Sequence, residues 1–226
     1  MIKAIIFDLD DTLTSEKKYI ESGYSHIAMF LSNRYNKDAT ELYELLIELF
    51  RNSPRDVFNR LLDTIGIRYT QKNIIELVEE YRNHLPNIKY YSDVLPCVEL
   101  LKKKKVKLGI ITDGYANSQR KKLNSLNAIE LFDEIIVTDE LGREYWKPHP
   151  KAFEIMKEKM NVEFNEMVYI GDNPEKDFYI SNIHPIKTIR INRNGVHSNK
   201  SYLDNIQEKY SINDLNEIFN ISDNSI

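Results

Sequence analysis

Apolar residues collect into three short runs, Ile2 to Phe7, Val106 to Ile111 and Met167 to Ile170, rich in Ile and Val and each closed by polar residues or glycine. Runs of this kind predict strands buried on both faces of a parallel sheet. Two weaker runs, Glu134 to Val137 and Lys187 to Ile191, add further strand candidates. Between them, helical spacing predicts helices over Val94 to Lys105, Ala116 to Leu126, Pro150 to Met160 and Pro174 to Asn182. Strand and helix alternate from about residue 94 onward, the pattern of an α/β fold built on a doubly wound parallel sheet.

The stretch from Glu16 to His84 has a different texture. It holds no convincing strand and offers four helical segments, near Glu16 to Arg34, Ala39 to Arg51, Pro54 to Ile65 and Gln71 to Asn83, the later ones separated by Asn52-Ser53-Pro54 and Ile65-Gly66-Ile67. Tyrosines 19, 24, 43 and 81 recur within these segments and are expected to fill their core. The chain therefore divides into an α/β core, residues 1–15 and 91–226, and a small all-helical insertion, residues 16–90. Residues 85–93 form its return linker.

Composition narrows the function classes. A formal net charge of -4 gives no basic footprint for nucleic acid. The local basic clusters, Lys102 to Lys105 and Arg120 to Lys122, fall in helical segments and are expected to be solvated faces. Cys97 is the single cysteine and has no internal partner, which suits a reducing, cytoplasmic setting. The first apolar run is too short for a membrane span and is followed at once by acidic residues, so no membrane partner is expected. The oligomeric state leaves no trace in the sequence.

In an open parallel sheet, ligands bind beyond the carboxyl ends of the strands. The residues that follow the apolar runs are Asp8-Leu9-Asp10-Asp11-Thr12, Thr112-Asp113-Gly114 and Gly171-Asp172-Asn173-Pro174-Glu175-Lys176-Asp177, and Lys147 precedes Pro148 ahead of another helix. Carboxylates from Asp8, Asp10, Asp172 and Asp177 gathered in one place repel each other unless a hard cation joins them. Oxygen ligation with few dedicated protein ligands suits Mg2+, which also binds phosphate oxygens. On this reading Asp8 is the nucleophile toward a phosphoryl group and Asp10 the general acid and base, with Thr112 and Lys147 as donors to the phosphate.

The set Asp8-x-Asp10-x-Thr12, Thr112 after an apolar strand, Lys147-Pro148 and Gly171-Asp172-x-x-x-x-Asp177 resembles the four ordered motifs of the haloacid dehalogenase superfamily. The resemblance implies a Rossmann-like core with the helical insertion as a cap. It also implies Mg2+ held by Asp8, the backbone carbonyl of Asp10 and an aspartate of the last motif. Asp177 would either ligate the metal or orient Lys147. Asp10 implies a phosphatase rather than a dehalogenase, since expelling a halide needs no proton donor. The expected reaction is hydrolysis of a small phosphorylated metabolite, a phosphomonoester, through an aspartyl-phosphate. A phosphomutase of the same fold and a non-enzymatic phosphate-binding module are the alternatives.

Asp113 and Gly114 beside Thr112, and Arg51 and Arg55 at a turn of the insertion, are the candidate substrate contacts. Two features depart from the family pattern: many members carry Gly where Asp11 stands, and Gly142 to Trp146 is bulkier than the usual run before the lysine.

Overall fold

Ala4–Phe7, four residues with wholly buried side chains, form strand β1 between two longer neighbours. The computed structural model describes residues 1–193, 195, 197 and 199–221, so the last five residues of the expected core span, 222–226, lie outside the described residues. The other strands are β2 (Lys107–Thr112), β3 (Glu134–Val137), β4 (Met167–Gly171), β5 (Lys187–Ile191) and β6 (Tyr210–Ile212). All pairs are parallel and the order across the sheet is β3-β2-β1-β4-β5-β6. The strand order reverses between β1 and β4, and the crevice beyond their carboxyl ends is where a doubly wound sheet takes its ligand.

The register aligns the chemistry. Phe7 is level with Ile110 on β2 and with Ile170 on β4, so Asp8, Thr112 and Asp172 all emerge at one edge. The amide of Asp8 extends the β4 ladder by donating to the carbonyl of Ile170 at 2.8 Å.

The chain forms two compact units, residues 1–16 with 88–226, and residues 17–87. The second consists of helices α1 (Glu16–Tyr35, whose first residue belongs to the first unit), α2 (Ala39–Asn52), α3 (Val57–Thr64) and α4 (Gln71–Asn83). Its core joins Tyr24, Ile27 and Leu31 with Leu42, Leu46, Leu61 and Leu77. Asp38 starts α2 by accepting from the amides of Thr40 and Glu41, at 2.8 and 2.9 Å, which satisfies two otherwise orphaned donors.

In the first unit, α5 (Val94–Lys103), α6 (Ala116–Ser125), α7 (Ala128–Leu131), α8 (Lys151–Met160) and α9 (Ile180–Ile183) follow in chain order. Phe153, Met156 and Met160 of α8 pack with Ala4, Ile6 and Tyr169 of the sheet. Gly109 permits that approach, since a Cβ there would lie 2.8 Å from the Met160 Cε. No helix among the described residues is long and apolar enough to cross a membrane.

Three elements differ from the expectation, the first being α7, a single turn with no helical pattern of its own. The helix foreseen over Pro174 to Asn182 is confined to Ile180–Ile183, because the preceding residues form a side-chain-tied loop. There the amide of Asn173 donates to Asp177 Oδ2 at 2.9 Å and the amide of Glu175 to Asn173 Oδ1 at 3.0 Å, bonds that compete with helical ones. Strand β6, three residues long, completes the sheet edge; its Tyr-Ser-Ile is too short to register as an apolar run.

Candidate active site

Asp8, first residue after β1, is buried and accepts a hydrogen bond on Oδ1 from the ammonium of Lys147. The Lys147 side chain has no exposed surface, and it also donates to Asp177 Oδ1 at 2.9 Å and to the Tyr169 hydroxyl at 2.7 Å. Tyr169 in turn donates to Asp177 Oδ1 at 3.2 Å. Lys147 reaches this position from the loop between β3 and α8, where its own amide is anchored on Asp113 Oδ1 at 3.1 Å. Burial works to lower the lysine pKa, but the carboxylates of Asp177 and Asp8 outweigh it and hold it well above its usual value.

The structure brings together Asp8, Asp172 and Asp177, with one oxygen of each within 4.8 Å of the others. Burial, then the charges of Asp177, Asp8 and Asp11, push Asp172 up to about 9. Burial raises Asp8 to about 6 even with Lys147 opposing. In both groups burial is the leading cause, and the neighbouring cations do not offset it. A buried, oxygen-only donor set of this kind fits a divalent cation.

A pH dependence follows. Folded Asp172 keeps its proton over a range in which the unfolded chain, at the ordinary value of 3.8, has lost it. A raised acid favours folding most at low pH, so the metal-free protein loses stability as pH rises toward about 9. Urea midpoints in chelator are expected to fall between about pH 5 and about pH 8, and Mg2+ is expected to flatten that slope by drawing the carboxyl back to its charged form.

Asp10 and Thr112 are linked through α6. Gln119 Nε2 donates to Asp10 Oδ2 at 2.9 Å and to Thr112 Oγ1 at 2.6 Å, and Lys122 Nζ meets both Asp10 oxygens at 2.7 and 2.8 Å. Lys122 is therefore not part of a solvated face: it is 4 % exposed, buried because its partner carboxylate lies at the strand ends.

Asp11 adopts φ +50°, a left-handed conformation that glycine meets at least cost. The aspartate adds a function of its own, as Oδ1 accepts from the amide of Glu16 at 3.0 Å and so receives the start of α1.

The proposed substrate contacts have differing surroundings. Asp113 is buried with both oxygens in use: Oδ1 accepts from Thr138 at 2.7 Å as well as from the Lys147 amide, and Oδ2 from Lys176 at 2.9 Å. Burial raises its pKa, yet Lys147 and Lys176 bring the net shift below the usual carboxylate range. Asp113 thus braces the loops around the cavity. Gly114, at φ +126°, leaves room for the Gln119 side chain. Arg51 lies in the last turn of α2, and Arg55 lies exposed in the following turn, which Arg60 clips by donating to the carbonyls of Leu49, Ser53 and Arg55. Trp146 points its ring N–H at Asp139 Oδ1, 3.2 Å away, and packs edge-on against Tyr115.

A cavity of about 80 Å3 at the strand ends is lined by Asp8, Asp10, Glu16, Asp113, Asp172, Lys176 and His197. Glu16, Lys176 and His197 escaped the sequence reading. Lys176 lies inside the Gly171 to Asp177 motif, which was a usable signal; Glu16 and His197 have no motif to mark them. Burial, then the Asp10 charge, pushes Glu16 up to about 7.

The model of the haloacid dehalogenase-like hydrolases matches residues 5–191. A glyceraldehyde 3-phosphate phosphatase of Methanopyrus kandleri is 34 % identical over 201 residues, covering 85 % of each chain. One of the same name from Methanocaldococcus jannaschii is 29 % identical over 229 residues, 99 % of this chain and 98 % of that one. The crystal structure of a phosphatase of this superfamily from Thermococcus onnurineus superposes with a TM-score of 0.63 at 28 % identity, covering 97 % of both chains. The chain belongs to the haloacid dehalogenase-like hydrolase family, and within it the enzyme is a phosphatase. The motif-based expectation of family and fold is borne out.

Proposed function

We propose that the enzyme hydrolyses a small phosphomonoester in a Mg2+-dependent reaction through an aspartyl-phosphate on Asp8. The observation that carries this reading is the buried Asp8 at the end of β1, joined to Lys147 and flanked by Asp172 and Asp177. An Asp8 oxygen attacks phosphorus while the bond from phosphorus to the bridging ester oxygen breaks, and Asp10 gives its proton to that oxygen as the alcohol leaves. Water then attacks phosphorus and yields its proton to Asp10, the Asp8–phosphorus linkage breaks, and inorganic phosphate departs. Lys147 and the Thr112 hydroxyl stabilise charge on the transferring group.

Asp8, Asp172 and the Asp10 carbonyl would hold Mg2+, which neutralises negative charge on the phosphate and its attacker. The Asp177 oxygens already accept from Lys147, Tyr169 and the Asn173 amide, which favours orientation of Lys147 over direct ligation.

The names of two archaeal relatives suggest the substrate class, a short aldehyde or triose phosphate. We assign the helical unit, residues 17–87, the role of a cap that reads the leaving group, with Arg51 and Arg55 as its polar contacts. Arg55→Ala is then expected to raise KM for a triose phosphate by roughly tenfold, the scale of one lost charge-assisted hydrogen bond. KM for 4-nitrophenyl phosphate should change little; equal change on both esters would remove Arg55 from the substrate contacts.

The reaction itself is tested by phosphate release from 4-nitrophenyl phosphate and from a panel of natural esters, with and without Mg2+, for the parent and Asp8→Asn. Magnesium-dependent release that disappears in the variant is expected. No release from any ester would overturn the hydrolase reading.

A further inference from the structure

A lysine and a glutamine on α6 have no assigned part in the chemistry, yet they are among the most enclosed polar side chains of the first unit. Lys122 is 4 % exposed and Gln119 2 %. Positions three apart on a helix share a face, and here that face meets the loop after β1. Lys122 spans both oxygens of Asp10, while Gln119 bridges Asp10 Oδ2 and Thr112 Oγ1.

Gly114 belongs to the same arrangement, because a Cβ there would come within 3.1 Å of the Gln119 Cδ in a backbone conformation that L side chains rarely adopt. An exposed lysine–carboxylate pair of this length would constrain little. Burial changes that, since removing one partner of a buried ion pair leaves the other's charge uncompensated.

We infer that Gln119 and Lys122 are the positioning residues of the acid/base. Among the described residues, Asp10 Oδ2 receives two donors, Gln119 and Lys122, whereas Oδ1 receives one, Lys122. Oδ2 thus has both lone pairs engaged by the protein, and Oδ1, with one donor, is the oxygen with capacity to exchange a proton with the leaving group and then with water. The same glutamine fixes the Thr112 hydroxyl, so one side chain aligns the proton donor with a phosphate contact. The inference rests on the reading of Asp10 as acid/base given above.

The leaving group supplies the test. Nitrophenolate departs without a proton, whereas an alkoxide needs one, and kcat/KM reports the step in which the ester bond breaks. The parent, Lys122→Met, Lys122→Arg and Gln119→Leu are compared on 4-nitrophenyl phosphate and on whichever of glyceraldehyde 3-phosphate and glycerol 3-phosphate the parent turns over faster. Lys122→Met is expected to lose ~100-fold in kcat/KM on the alkyl ester and less than ~10-fold on the aryl ester. Lys122→Arg should recover part of the loss, and Gln119→Leu should show the same selectivity in smaller degree.

Equal losses on both esters, or parent-like rates on both, overturn the positioning role. Gln119→Leu carries the test alone if Lys122→Met does not fold, as judged by near-ultraviolet circular dichroism. A parent that releases phosphate from neither ester contradicts the hydrolase reading instead, so the two failures are distinguishable.

Discussion

Asp8→Asn is expected to lower magnesium-dependent phosphate release by about 10⁴-fold or more, the scale seen when a covalent nucleophile is removed. The amide retains the shape of the carboxylate and an oxygen to accept from Lys147, so the strand end has no reason to rearrange. It lacks the charge that makes the carboxylate a nucleophile. The loss therefore belongs in kcat, and the folded state should be largely preserved. In metal-free protein the substitution also removes one of the charges that push Asp172 up, which offsets some of the lost attraction to Lys147. Steady-state phosphate release and urea unfolding of the same preparation check both halves of this expectation.

The second large effect falls on stability as well as rate. Lys147→Met removes the shared donor of Asp8, Asp177 and Tyr169 from a site with no exposed lysine surface. Breaking a buried ion pair from one side leaves uncompensated charge and costs about 3–5 kcal/mol. Loss of a donor to the transferring group should lower kcat by a further 10²–10³-fold or about that order. Chemical denaturation is expected to show the deficit most clearly in chelator, with Mg2+ restoring part of it because a second cation reaches the same carboxylates. An unchanged midpoint in chelator would mean that the carboxylates do not depend on Lys147.

The sheet was legible because burial on both faces leaves a continuous apolar run, as in Ile2 to Phe7 and Met167 to Ile170, and because each run stops at the residues that carry the chemistry. Asp8, Thr112 and Asp172 could be expected at one edge because each lies where an apolar run ends, and neighbouring parallel strands present their carboxyl ends on the same side. What escaped was whatever depends on contacts distant in sequence. Lys122 looks like its neighbours in a basic helix, and only the 112-residue separation closed by its bond to Asp10 distinguishes it. Asp113 reads as a turn residue or a substrate contact, and its bonds from Thr138, Lys147 and Lys176, which brace the surrounding loops, have no trace in the local sequence.

Local competition accounts for the rest. The loop from Asn173 to Asp177 resists helix formation because its side chains satisfy its own amides, an effect that helical periodicity does not register. Strand β6 is held by pairing with β5 through three residues, too few to form a pattern.

The covalent intermediate is the claim on which the account stands, and it can be observed directly. Enzyme mixed with substrate and Mg2+ is quenched in acid within the first turnovers, reduced with borohydride and digested for mass spectrometry. An aspartyl-phosphate at residue 8 is converted to homoserine, so the account predicts homoserine at position 8 in the substrate-treated sample and none in Asp8→Asn. Phosphate release by an enzyme whose residue 8 remains unmodified aspartate under these conditions, with the reduced product at another carboxylate, would contradict it.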